Sequence, residues 1–129
     1  MELSITTLTR RKNGSIGRRE ETKTCEAFRI GRDTKDELFL PDHRIPYNLA
    51  TLHPGEGGFF IEAEGDNDLR LNEKIVQKAH VNIGDIIGIG PYELRLVEPE
   101  DGMDLAVTVE LIHPLGDDVK ELLSRSNLS

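Results

Sequence analysis

Apolar and polar residues alternate along much of this chain. Leu3-Ser4-Ile5-Thr6-Thr7-Leu8 sets the pattern, and Tyr92-Glu93-Leu94-Arg95-Leu96-Val97 repeats it. Residues 104–112 repeat it again, with Leu105, Val107, Val109 and Leu111 on one face. A period of two marks a strand with one buried side. Shorter extended runs fill the middle: residues 27–30, 37–40, 49–52, 59–63, 69–71, 75–77, 79–81 and 86–89. Turn residues bound them. Asn13-Gly14 predicts a type I′ hairpin, whose central residues both need positive φ, with a return strand over residues 15–21. Pro54-Gly55-Glu56-Gly57-Gly58 predicts a second hairpin, and Asn72-Glu73 a third turn. Pro41 ends the 37–40 run, because it cannot donate to a ladder.

Many short strands separated by turns predict an all-β sandwich or barrel. One helix is expected near the end, where Asp118 and Glu121 form the Asp variant of a capping box ahead of Leu122 and Leu123. Glu98-Pro99-Glu100-Asp101-Gly102 is the weakest internal joint. It divides the chain into a sandwich over residues 1–98 and an appended strand and helix over 99–129, possible lead-in to a further segment.

Composition narrows the function classes. The 129 residues suffice for one domain with a core, and 31% charged with 36% hydrophobic residues fits a soluble globular protein. Aromatics make up 5%, which leaves little surface for stacking bases. Net charge is −8, spread unevenly: residues 1–35 carry nine Lys/Arg and five Asp/Glu, and residues 36–129 carry seven and nineteen. Such acidity disfavours nucleic acid as a partner and confines any phosphate site to the basic N-terminal third. Cys25 is the single cysteine, so no internal disulfide forms and no thiolate zinc cluster is expected. This fits a reducing, cytoplasmic setting. The N-terminus lacks a signal-peptide pattern, and no apolar run approaches the ~18 residues of a membrane span.

Four phrases carry a family resemblance. Phe28-Arg29-Ile30-Gly31-Arg32 contains an Ile-Gly-Arg after a strand. Asp36-Glu37-Leu38-Phe39-Leu40 and Asp42-His43-Arg44-Ile45 follow in order. Gly84-Asp85-Ile86-Ile87-Gly88-Ile89-Gly90 supplies a full Gly-Asp-x-Ile-x-Ile-Gly. Over residues 3–97 the chain resembles a forkhead-associated (FHA) domain, a β-sandwich of the SMAD/FHA type that grips phosphothreonine peptides. The resemblance implies a protein-interaction module without enzymatic activity, with a protein or phosphopeptide as ligand, no cofactor and no metal.

The same alignment exposes departures. The family's Ser-x-x-His becomes Pro46-x-x-Leu49. In the family the serine binds phosphate and the histidine braces the loop. Pro46 offers neither hydroxyl nor N–H, and Leu49 cannot hydrogen-bond. The family's Asn-Gly-Thr-x-Val-Asn-Gly aligns with residues 67–73, keeping Asn67 and Asn72 and replacing a groove glycine by Asp68. Hydrogen bonds to charged groups contribute on the order of 1.5–3 kcal/mol, so losing the serine weakens a phosphopeptide about tenfold to a hundredfold. The expected peptide-binding residues are Arg32, Arg44, Pro46, Tyr47, Asn48, Asn67 and Asp68. Gly31, Asn72, Gly84, Asp85 and Gly90 are expected as framework.

Other chemistry finds no support in the sequence. His43, His53, His80 and His113 lack metal-ligand spacing. Glu64, Asp66 and Asp68 lack the glycine and distal Glu of a calcium loop. Ser15, Ser124 and Cys25 have no nucleophile context. Arg10-Arg11-Lys12 and Arg18-Arg19 read as a solvated hairpin edge. Three functional readings follow: an interaction module with weak or phosphate-independent recognition; a true phosphothreonine reader in signalling; and a cytoplasmic regulatory or structural domain of a longer membrane-anchored protein, such as a redox protein or bacterial assembly.

Overall fold

The computed structural model describes residues 1–112, and the helix expected beyond Asp118 lies outside them. Among the described residues, twelve strands form two sheets. The first sheet holds β1 (Glu2–Arg10), β2 (Ile16–Thr24), β7 (Leu69–Leu71), β8 (Lys74–Val76), β10 (Ile86–Ile89), β11 (Tyr92–Val97) and β12 (Leu105–Leu111). Its spatial order is β2-β1-β12-β11-β10-β7-β8. The second holds β3 (Phe28–Gly31), β4 (Leu38–Phe39), β5 (Ala50–Gly55), β6 (Gly58–Ala63) and β9 (Lys78–Val81), in the order β4-β3-β5-β6-β9.

The period-two pattern does what it predicts. Leu3 and Ile5, Leu94 and Leu96, and Leu105, Val107 and Val109 point inward from the first sheet. Phe28, Ile30, Leu52 and Ile61 point inward from the second. One continuous aliphatic core results, with Phe28 as its fully buried aromatic side chain. Loop residues Leu40, Ile45 and Leu49 close it at one end, each at most 5% exposed.

Two features depart from the sequence reading. The strand set apart at residue 99 lies inside the first sheet, pairing parallel with β1 and antiparallel with β11. Its three inward residues need both neighbours to be covered. The turn at Asn13-Gly14 is not type I′: of its residues, Gly14 alone has positive φ, at 86°. The Gly14 N–H donates to the Arg11 carbonyl, and the Arg11 N–H to the Ser15 carbonyl. This is a type I turn followed by a left-handed glycine, the longer-loop alternative. The type I′ geometry occurs instead at Asn72 (φ 49°) and Glu73 (φ 74°), between β7 and β8.

Candidate peptide-binding site

Three loops meet at one end of the sandwich: 32–37 after β3, 40–49 between β4 and β5, and 64–68 between β6 and β7. Backbone contacts hold the first two together. The Arg32 N–H donates to the Pro46 carbonyl at 3.0 Å, and the Leu49 N–H to the Ile30 carbonyl at 3.2 Å. A Cβ on Gly31 would stand 2.4 Å from the Tyr47 carbonyl oxygen and 2.7 Å from an Asp36 carboxylate oxygen. Gly31 is therefore required by close approach, and not by its φ. Asn67 ties in the third loop: its side-chain amide donates to the Asn48 carbonyl at 3.1 Å and the Glu64 carbonyl at 2.7 Å. It caps its own turn and fastens that turn to the neighbouring loop.

The framework lies behind these loops. Asp85 accepts from the Asn72 side chain at 3.0 Å and from the Asn82 N–H at 2.8 Å, and Asn72 accepts from the Ile86 N–H at 3.0 Å. This network fixes the turns at Asn72 and at Gly84, where φ is 96°. Gly90 turns with φ 53°, where an added Cβ would meet the Ile45 side chain at 2.9 Å.

The site's two arginines differ in character. Arg44 forks onto Asp42, with Nε to Oδ1 at 2.9 Å and Nη2 to Oδ2 at 2.8 Å. Those bonds hold the Asp42 carboxyl down at about 2, against an ordinary 3.8, and its side chain is 6% exposed. Arg44 is thus a brace for the loop that carries Pro46. The Arg32 guanidinium stacks on the Tyr47 ring, 4.6 Å from its centroid. Its Nε is buried with no hydrogen-bond partner. No carboxylate among the described residues pairs with it. Tyr47 is 61% exposed, so the stacked pair reaches the surface.

Pro46 is half-buried, with its carbonyl turned to Arg32 and no side-chain donor to offer. Asn48 and Asp68 are exposed at the rim. Arg32, Pro46 and Tyr47 thus make one contact group, Asn48 and Asn67 a second, and Arg44 stands with Asp42. Sequence reasoning did not single out Asp36. Its carboxyl is 7% exposed against Gly31, accepts the Asp33 N–H at 3.3 Å, and burial pushes its pKa up. The Gly31–Asp36 proximity arises from how the 32–37 loop folds back on β3, which the phrase itself does not specify.

No model of a known protein family matches the chain, and no curated protein matches it. Solved structures do. The second FHA domain of the Mycobacterium tuberculosis ABC transporter Rv1747 is 27% identical, with a TM-score of 0.52 over 64% of this chain and 76% of that one. The FhaA FHA domain, solved in complex with the intracellular domain of Rv3910, is 21% identical, with a TM-score of 0.51 over 58% and 84%. An FHA domain studied for phosphothreonine-dependent interactions is 19% identical, with a TM-score of 0.54 over 87% and 97%. The sandwich is therefore an FHA fold, as the phrases around Gly31 and Gly84 imply. Among the described residues, no helix is long and apolar enough to cross a membrane.

Proposed function

We propose that this chain is a non-enzymatic protein-interaction module that grips a peptide segment with the loops of Arg32, Pro46–Asn48 and Asn67, and that phosphate adds little to the grip. One observation carries this: Pro46, which the resemblance aligns with the family's phosphate-binding serine, turns an acceptor, its carbonyl, toward the Arg32 backbone. Neighbours with the same fold support a protein ligand. One was studied for phosphothreonine-dependent interactions and another is complexed with a protein domain.

A second reading, a true phosphothreonine reader, draws on the unpaired Arg32 guanidinium, which is able to take a phosphate oxygen pair. Titration of a degenerate phosphothreonine peptide library against its unphosphorylated twin separates the two, with Arg32→Ala as control. Comparable affinity for both libraries supports the module proposed. A preference for phosphate above about tenfold, lost in Arg32→Ala, supports the reader. No binding of either library by folded protein overturns both.

A further inference from the structure

Among the described residues the loop end combines two cations without an ion pair, Arg32 and the exposed Lys35, with a surplus of acid. Across the three loops, residues 32–37, 40–49 and 64–68, there are three Lys/Arg and seven Asp/Glu. Arg44 is forked onto Asp42, as described above. The Arg32 Nε is sealed from solvent and bonded to nothing. The terminal nitrogens make no hydrogen bond among the described residues, and they are not sealed in with Nε. The stack on Tyr47 holds the plane of the guanidinium. A preoriented fork is presented with its end open.

Charge decides what that fork takes. A phosphothreonine brings about −1.5 to −2 at pH 7, and a carboxylate brings about −1. Repulsion by the surrounding acid and attraction to Arg32 both grow about twofold for the phosphate, so the excess of seven Asp/Glu over three Lys/Arg in these loops sets the balance and favours the smaller negative charge. A planar carboxylate also meets an arginine fork in two parallel hydrogen bonds without a further donor. The phosphate's third oxygen would want the hydroxyl that Pro46 lacks. At the same end of the sandwich, a cleft of about 250 Å³ is lined by Asp36, Asn48, Thr51 and Glu64, with Asn48 one residue from Tyr47. Arg29 also borders it, but its guanidinium is engaged by Glu37 at 3.1 and 3.2 Å. The cleft therefore offers the exposed Glu64 carboxylate to a cationic side chain, with the nearly buried Asp36 behind it.

We infer that the ligand is a peptide segment anchored by an Asp or Glu side chain on Arg32 and flanked by Lys or Arg facing the acidic cleft. This rests on the reading of the loop end as a peptide site and names its ligand class. The probes are oriented nonapeptide pools with a fixed central Glu, Gln, Thr or phosphothreonine, each made with basic or with acidic flanks, read by fluorescence anisotropy. The Glu pool with basic flanks is expected to bind about tenfold more tightly than its Gln counterpart, and at least as tightly as the phosphothreonine pool. Raising salt from about 50 to about 500 mM, roughly a third of and three times physiological strength, should shrink the preference for basic flanks. Arg32→Gln should erase the Glu–Gln difference. Arg95→Gln, on the outer face of β11, should leave it intact, and thermal melts of both variants report folding.

Preference for phosphothreonine over Glu by about tenfold overturns the inference and leaves the peptide site standing. So does equal binding of Glu and Gln pools, or a preference for acidic flanks. Absence of binding by every pool to folded protein overturns the peptide site itself.

Discussion

The carbonyl oxygen of Pro46 accepts the backbone N–H of Arg32 at 3.0 Å. The segment that carries the family's serine is thus held to the neighbouring loop by backbone alone. Its side chain is free to change without dismantling the site.

That gives the first prediction. Pro46→Ser restores a hydroxyl donor beside Arg32 while the carbonyl contact persists. Affinity for phosphothreonine peptides should rise about tenfold, the effect of one hydrogen bond to a charged group, with no gain for unphosphorylated twins. Isothermal titration of parent and variant checks it. Equal affinities would mean that position 46 does not face the phosphate.

Gly31 lies on the other side of the same contact. Its added Cβ would meet backbone oxygen at 2.4 Å, and backbone has no rotamer by which to retreat. Gly31→Ala should destabilise the fold by about 1–3 kcal/mol, as overpacking does. It should also shift the amide resonances of Tyr47 and Asn48. A melt unchanged within error would refute the close approach.

The Asp42–Arg44 fork makes stability depend on pH. The Asp42 carboxyl sits at about 2 when folded and 3.8 otherwise. A depressed carboxylate stabilises the fold above the unfolded value, and that contribution is lost as pH falls through the folded one. Asp42→Asn should therefore cost about 2 kcal/mol at pH 7. The gap between parent and variant should close between pH 4 and pH 2, the window set by those two values. Urea unfolding across that range reads it. A gap that stays constant would show that the charge is not what matters.

Residues 1–98 should not fold alone. Removing β12 strips β1 of one partner and takes Leu105, Val107 and Val109 out of the core. The truncated chain is expected to lack a cooperative transition. As a milder test, Val107→Ala should lower stability by about 2 kcal/mol. A cooperative melt of the truncated chain would restore the division at residue 98.

The local parts of this structure are legible in the sequence. β10 and β11 fall on the residues that alternation and the Gly84–Gly90 phrase assign. The fold follows from ordered phrases, because each encodes a turn with few chemical solutions. Distant pairing is not legible. Nothing in residues 104–112 says that they run parallel to β1, since strand order is decided by which faces remain uncovered after all others have packed. The hairpin type at Asn13-Gly14 is not legible either, because Asn-Gly suits two turn geometries and loop length chooses between them. At the site, Pro46 and Asn67 are recognisable by position. That Arg44 serves Asp42 while Arg32 stays unpaired depends on how loops far apart in sequence come to rest.

The parallel pairing of β1 with β12 gives the module a polarity. The chain begins beside Asp104, whose carboxylate accepts the Glu2 N–H. The Ile112 N–H bonds to the Pro91 carbonyl, next to Gly90, whose turn packs near Ile45 in the loop that carries Pro46. Glu2 and Ile112 therefore lie at opposite ends of the sandwich, and Ile112 is at the end that carries the Pro46 loop. Fastened to a bead or a fusion partner through its N-terminus, the sandwich would present its loops outward. Fastened just after Ile112, it would turn them toward the support, and the same domain would read the same peptide less well for want of room.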